Sequence, residues 1–428
     1  MTTSNQPEKR QATSAAEQRD RSGLLMIATI VAGHTIKHIY ISGFQTIILP
    51  EIKIGMGLSN TMLGGLATAR QATGGATTLA AGYMGDRFSS YSGLLLTLSL
   101  AIMGISYFLV GSALTYPLML AAMLLVGLGP SIFHPPALGA LSRRFPERRG
   151  FVISLHGTGG SLGEAAGPLI AAAAVGGVTW IALSFSGLEW RSTMQWSIVP
   201  ALIVAAMMGM ILRNIPMGEG GTTSLRGYFS SLGRLLGNRS LLAVLGISAL
   251  RALGQSSTVI FLPIFLRDDL GFSLARVAIY LSLSQLAGIG AQPFMGALSD
   301  RLGRKAVLVP ALAAFGVLLI ALRFVPTGFP LVVVIVAMGT FLYSLQALFL
   351  ATASDMGGPE VQATTASLVY GTTFISATIS PLLAGMIADT LGIRSAFLYG
   401  AAMLLAAAVA MSILKLPRPA DQSVAAGG

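Results

Sequence analysis

The sequence predicts an all-α membrane protein in which twelve transmembrane helices form two pseudo-symmetric six-helix bundles. Three observations predict it. The 428 residues are 54% hydrophobic and only 10% charged, with a mean hydropathy of +0.74, which is too apolar for a chain surrounded by water. Twelve apolar runs reach the roughly 20 residues that a helix needs to cross a ~30 Å hydrocarbon core. Distinctive positions also recur at half-chain spacing. A transmembrane β-barrel would instead show short alternating strands of about 10 residues.

The expected spans are 24–49, 58–84, 92–112, 117–141, 150–176, 192–212, 240–266, 273–298, 306–325, 329–354, 361–388 and 394–415. Residues 1–23 read as a cytoplasmic N-terminal tail, 24–213 as the first bundle, 214–239 as a cytoplasmic connector, 240–415 as the second bundle and 416–428 as a cytoplasmic C-terminal tail. Residues 1–22 are polar and lack the apolar core of a signal peptide, so the first helix is expected to act as its own insertion signal. The segment 213–239 carries Gly218, Gly220, Gly221 and four arginines, with Leu225, Tyr228, Phe229 and Leu232 interspersed. That pattern suits an amphipathic segment on the membrane surface.

A formal charge of +11 invites a nucleic-acid reading, and the placement of the charges argues against it. With both termini on one side, eighteen of the 27 Lys and Arg residues fall on that side and six on the other. Positive charge collects on the cytoplasmic face of membrane proteins, so both termini are expected in the cytoplasm and no nucleic-acid partner is required. With no cysteine, disulfides, thiolate metal sites and thiol catalysis are excluded. No phosphate-binding glycine loop, nucleophile motif or metal-hydrolase signature is present. The chain reads as neither an enzyme nor an ATP-driven pump, and no cofactor is expected.

The repeat lies at a shift of 213 to 214 residues. Gln71, Gly74, Gly82, Asp86 and Arg87 fall on Gln285, Gly288, Gly296, Asp300 and Arg301. Leu49-Pro50 falls on Leu262-Pro263, Ser154-Leu155 on Ser367-Leu368, and Pro168-Leu169 on Pro381-Leu382. The segments Gly82-Tyr83-Met84-Gly85-Asp86-Arg87 and Gly296-Ala297-Leu298-Ser299-Asp300-Arg301-Leu302-Gly303-Arg304-Lys305 resemble the loop signature of the major facilitator superfamily. Glycine there lets helices approach closely, while Asp and Arg can cap helix ends and pair between helices. The first copy departs after Arg87, where Phe88-Ser89-Ser90-Tyr91 replaces the Gly and basic pair. The resemblance covers the whole chain. It implies two bundles rocking about a midplane site, and hence secondary transport of a small-molecule substrate across a lipid bilayer.

Charges at mid-membrane cost roughly 2.5–3.5 kcal/mol each on insertion scales, so they are functional candidates. His34, Lys37 and His38 share one face of the first helix through i+3 and i+4 spacing, continuing to Ile41 and Gln45. Arg70 lies in the second span, Glu164 in the fifth and Arg251 in the seventh, with Gln255 one turn on. The shift of 213 sets His38 on Arg251. Lys37, His38, Arg70, Arg251 and Gln255 are therefore candidate substrate ligands in a positive site for a phosphonate, phosphate, carboxylate or anionic metal chelate. The structural alternative is that Arg70 or Lys37 pairs with Glu164.

Glu164, His34 and His38 are the candidate proton carriers, because burial raises a carboxyl pKa and histidine titrates near neutrality. Glu164 lies in Gly163-Glu164-Ala165-Ala166-Gly167-Pro168, which partly resembles the fifth-helix motif of proton-coupled antiporters. Ala171-Ala172 stand where that motif has a trailing glycine pair. His34 and His38 also have the i, i+4 spacing that grips a metal ion, although Lys37 beside them would repel a bare cation. His134 reads as lying near the cytoplasmic end of the fourth helix.

The stretch Phe133-His134-Pro135, Arg148-Arg149-Gly150, Ser154-Leu155 and Gly159-Gly160 through Gly163 to Gly167-Pro168 is similar to fosmidomycin-resistance-type efflux proteins. Length and overall sequence are also similar to facilitator-type proteins of magnetosome membranes associated with iron handling. These resemblances imply proton-coupled movement of a small anionic solute, with iron or an anionic iron chelate as the most specific substrate, in an inner membrane or a magnetosome membrane. Drug or phosphonate efflux is the close alternative. A non-transporting scaffold or sensor is the rival of another class, favoured by the degraded first loop motif.

Overall fold

A computed structural model describes residues 6–87, 89–180, 183–215, 233, 235–357 and 362–415; side chains are not described for 6–20, 79–87, 89, 149–150, 179–180, 183, 357, 362–364 and 366–367. Within these residues the chain forms twelve helical rods. The first bundle comprises α1 (Gln6–Gly43) continuing through a π turn into α2 (Leu49–Met56), then α3 (Asn60–Arg87), α4 (Ser92–Ser112), α5 (Tyr116–Arg144), α6 (Arg149–Gly176), and α7 (Trp190–Trp196) running into α8 (Ile198–Leu212). The second comprises α9 (Arg239–Ile264) with a π turn at Phe265–Asp269, α10 (Leu274–Leu302), α11 (Arg304–Ala321), α12 (Phe329–Leu342) followed by α13 (Leu345–Gly357), α14 (Gln362–Leu391) and α15 (Arg394–Ile413).

Ten of these rods are long and apolar enough to cross a membrane. The other two are α3 and α6, whose sequences are rich in Gly, Thr and Ala and carry Arg70 and Glu164. Both pack against the opposite bundle, α3 on α14 and α6 on α10, so much of their surface meets protein rather than lipid. The first rod also exceeds its expected span, because helix continues back into the polar tail to Gln6 and forward to Met56. One feature was absent from the all-helical reading. Val178–Trp180 pairs antiparallel with Leu183–Phe185 between α6 and α7. The amphipathic connector residues Leu225, Tyr228, Phe229 and Leu232, and the tail 416–428, lie outside the described residues.

Small residues bring α1 and α6 into backbone contact. A Cβ on Gly163 would stand 2.2 Å from the Thr35 carbonyl oxygen, one on Gly167 2.7 Å from that of Ile39, and one on Gly159 3.0 Å from that of Val31. This spacing of four puts three glycines on one face of α6, flat against the α1 backbone. The second bundle keeps the same register between its first and fifth rods. His34 reaches the His156 carbonyl and Ser42 the Glu164 carbonyl across 122 positions, and Arg251 reaches Thr373 across 122. The half-chain repeat is thus a repeat of packing as well as of residues.

Between the bundles, contacts are concentrated from mid-helix to the face opposite the chain ends. Glu51 and Lys53 of α2 pair with Arg267 and Asp268 of the π turn after α9. The Asp389 carboxylate at the end of α14 accepts from the Asn60 N–H (2.8 Å), the Thr61 N–H (2.8 Å) and the Thr61 hydroxyl (2.6 Å). It therefore caps α3 from the other bundle, where helix N-termini favour a carboxylate. Nearer mid-membrane the Ser282 hydroxyl donates to the Ala165 carbonyl and Thr68 to that of Thr378. Toward the other face, a Cβ on Gly157 of α6 or on Gly290 or Gly296 of α10 would meet open space.

Two outcomes follow from this packing. Gly163→Ala should destabilise the detergent-purified protein by about 1–3 kcal/mol through overpacking against backbone, whereas Gly157→Ala should hold or raise stability because alanine is the better helix former. Equal losses at both positions in thermal unfolding would refute the contact. Asp389→Asn should weaken the closed face by about 1 kcal/mol, or roughly fivefold in population. The check is labelling of Thr68→Cys by an impermeant maleimide from that face. The chain has no other cysteine, so an unchanged labelling rate would count against the cap.

Candidate functional site

The glycine contact places α1 so that its polar face meets α5 and α6. His34 and Lys37 are 3% and 1% exposed. Lys37 Nζ lies 2.7 Å from His134 Nε2, and 5.5 Å above the Phe133 ring. His34 donates from Nδ1 to the His156 carbonyl at 2.7 Å, and its ring stacks on that of His156 with centroids 3.7 Å apart. The His34 and His38 rings meet edge to face at 4.6 Å. His38 Nδ1 sits 3.0 Å from Glu164 Oε1.

All four histidines of the chain are therefore in one cluster. His134 lies within α5, which runs on through Pro130, Pro135 and Pro136 to Arg144. The Glu164 partner also departs from the structural alternative drawn from the sequence. It is His38, and neither Arg70 nor Lys37 pairs with Glu164. The reason is register: Ser42 Oγ donates to the Glu164 carbonyl at 2.9 Å, which fixes residue 164 one helical turn from His38.

That same serine faces the other bundle. Gln285 Nε2 donates to Ser42 Oγ at 3.1 Å, and Tyr343 packs against Gly288, one turn on from Gln285. Beside Tyr343, the Leu342 carbonyl accepts from Gln255 Nε2 at 2.8 Å. Gln255 in turn accepts from Arg251. Arg251 is wholly buried, its Nη2 also reaching Gln346 Oε1 at 2.5 Å and Thr373 Oγ1 at 3.3 Å. Its Nε has no partner. Polar groups thus follow one another from the histidines of the first bundle, through Glu164 at the junction, to the guanidinium of the second.

Arg70 stands apart from both ends, half-buried, with Nη2 3.4 Å from Gln45 Oε1. Lys37, Arg70 and Arg251 accordingly occupy three neighbourhoods and do not touch. None has a carboxylate within ion-pair distance among the described residues. Of the loop motifs, Gly82, Asp86 and Arg87 fall where side chains are not described. In the second copy Arg304 bonds Asp300 at 2.5 Å and Asp355 of α13 at 2.8 Å. Gly303 adopts φ +93° and Gly296 faces open space, while Arg301 lies in the last turn of α10. A positive φ of that kind favours glycine.

Sequence reasoning did not find Gln346, Thr373, Asp355 or Asp389. The first two carry no charge and sit in apolar runs, and nothing local distinguishes them. Asp355 does stand out in its sequence as an acid closing an apolar span.

Comparison with known proteins agrees with this architecture. The family model described as Major Facilitator Superfamily matches residues 35–290 and 244–428. The multi-drug resistance efflux pump PmrA of Streptococcus pneumoniae is 30% identical over 166 residues, which are 37% of this chain and 41% of that protein. The chain thus aligns with less than half the length of that relative. The fosmidomycin resistance protein of Escherichia coli is 21% identical over 315 residues, covering 72% of this chain and 73% of that one. Among solved structures, the nucleoside transporter NupG superposes with a TM-score of 0.76 at 14% identity, covering 91% and 98% of the two chains. A bacterial homolog of the human lysosomal transporter Spinster, inward-facing and unoccupied, gives 0.69 at 18% identity over 92% and 95%. These likenesses establish the fold, and the family match spans nearly the whole chain. The chain belongs to the major facilitator superfamily of multi-pass membrane transporters.

Proposed function

We propose that the protein exports a small organic anion by proton-coupled alternating access. One observation carries the reading: among the described residues, the mid-helix positions hold Lys37, Arg70 and Arg251 but a single carboxylate, Glu164, which lies beside His38. Three cations held by neutral acceptors leave positive charge for a ligand to compensate. Arg251 is the clearest case. Gln255, Gln346 and Thr373 orient its guanidinium without neutralising it, and its buried Nε remains a free donor. A planar fork of this kind suits carboxylate or phosphonate oxygens.

Glu164 is the site of coupling in this reading. Its side chain is 36% exposed, so protons can reach it, and its own carbonyl is bonded to the serine that bridges to Gln285. Protonation would remove its attraction for His38 at the point where the bundles meet. Proton binding and the packing of that junction would then bias one another, as linkage requires. Efflux is the direction suggested by the similarity to the efflux pump PmrA. The bias of basic residues favours cytoplasmic termini in an inner membrane, with bundles at 24–213 and 240–415.

The magnetosome resemblance adds an iron species as a substrate. It fits the same cations when iron is carried as an anionic chelate. A scaffold or sensor that has lost its cycle predicts no flux from the intact protein.

Proteoliposomes loaded with a pH-sensitive dye separate these readings. A phosphonate or ferric citrate added against a proton gradient should move the dye signal only if flux is proton-linked. Glu164→Gln should reduce that signal to the level of empty vesicles while ligand binding persists, and undiminished coupling would refute the assignment. Arg251→Ala should weaken anion binding about 10- to 100-fold, the worth of losing a charged hydrogen-bond donor. Arg251→Lys should fall between, because it keeps charge without the fork. Tight binding of an uncharged solute by Arg251→Ala and wild type alike would overturn the anion reading.

A further inference from the structure

The geometry points to a binding site for a late first-row divalent metal ion at His34, His38 and His134, with Lys37 as the group the ion displaces. One ring nitrogen from each of these histidines lies within 4.8 Å of the others. Proximity alone is common among buried aromatics. The orientation of the rings goes further.

Histidines that ligate metals characteristically give one ring N–H to a carboxylate or backbone carbonyl and turn the other nitrogen to the ion. His34 is arranged this way, with Nδ1 committed to the His156 carbonyl at 2.7 Å. His38 comes close to it: Nδ1 lies 3.0 Å from the Glu164 carboxylate, at ion-pair distance but out of line for a hydrogen bond, and a small turn of the ring would complete the pair. These partners assign the proton of each neutral ring to Nδ1 and leave Nε2 as a lone pair. Both Nε2 atoms are buried and have no partner of any kind. Two buried lone pairs without donors are costly, and a shared cation would satisfy both.

His134 supplies the third nitrogen. Its Nε2 faces the Lys37 ammonium at 2.7 Å, so a cation already uses that lone pair. The ammonium is a hard point charge on a flexible stem and can withdraw when a metal ion takes its place. Ammonium and metal ion would be alternative occupants of the same imidazoles. Imidazole ligands suit Co²⁺, Ni²⁺, Cu²⁺ and Zn²⁺, and three histidines leave a fourth position open to water or an anion. Glu164 would offset the added charge through His38. The site requires no transported anion, so its failure and that of the proposed transport are read separately.

The test is titration of tag-free, full-length protein in detergent with Co²⁺, followed by its visible d–d absorption and by competition with Zn²⁺. Wild type should bind a single equivalent with the intense bands of a tetrahedral site. Lys37→Met should bind tighter by on the order of tenfold or more, the effect of removing a like charge about 4 Å from the ion. Glu164→Gln should bind about 10- to 100-fold more weakly, as loss of an outer-shell partner does. His34→Ala and His134→Ala should lose the tetrahedral bands. The proposal is overturned if wild type and Lys37→Met bind no Co²⁺ in the millimolar range. It is equally overturned if the bands survive in both alanine variants.

Discussion

The contact on which the site depends is the backbone-to-backbone approach of α1 and α6. Three glycines at a spacing of four remove every Cβ from that face, and the carbonyls of Val31, Thr35 and Ile39 occupy the room. In lipid there is no hydrophobic force to drive helices together, so close packing and interhelical hydrogen bonds must do it. The Ser42 bond to the Glu164 carbonyl then locks the register. With position and register set, His38 has Glu164 as its neighbour and His34 has His156. A side chain on Gly163 would separate the rods and dissolve both pairs together.

The two bundles use this shared scaffold for different chemistry. At equivalent depth the first bundle presents imidazoles and a carboxylate, groups that exchange protons, while the second presents a guanidinium that does not. Each charged group is surrounded by neutral dipoles. Arg251 rests on two amides, a hydroxyl and the face of Phe349 at 5.5 Å. Burying such a cation is expensive unless it is hydrogen-bonded. Amides meet that need while preserving the charge, whereas a carboxylate partner would have cancelled it. The packing keeps positive potential in the interior instead of neutralising it.

Much of this was legible in the sequence, and the limits have a physical cause. Apolar runs report lipid directly, so the spans emerged readily; the half-chain shift reported the bundles. The i, i+3 and i+4 spacing put His34, Lys37 and His38 on one face without any tertiary information. What one helix meets is another matter. Lys37 finds His134 across 97 positions and Glu164 finds His38 across 126, and no local pattern encodes either pairing. Asp389 capping α3 is similar, since its partners are backbone N–H groups of a helix in the opposite bundle. The weak hydropathy of α3 and α6 was a signal in its own right. A helix that is poor for lipid and rich in glycine is one that packs between bundles.

Closure at the face opposite the chain ends rests on interactions of a particular strength. The pairs Lys53 with Asp268 and Arg267 with Glu51 are partly exposed, and such pairs contribute about 0–1 kcal/mol each. The Asp389 cap adds a contribution of similar size. A face held by several weak, water-accessible contacts can open without a large barrier, because water replaces each bond as it breaks. The buried groups behave differently. Arg251 is wholly buried, so rearranging it exchanges interactions in a low-dielectric interior, where each change in charge is felt strongly. A weak outer latch beside a strongly coupled interior makes the junction between the bundles the place where a change of charge would weigh most on closure.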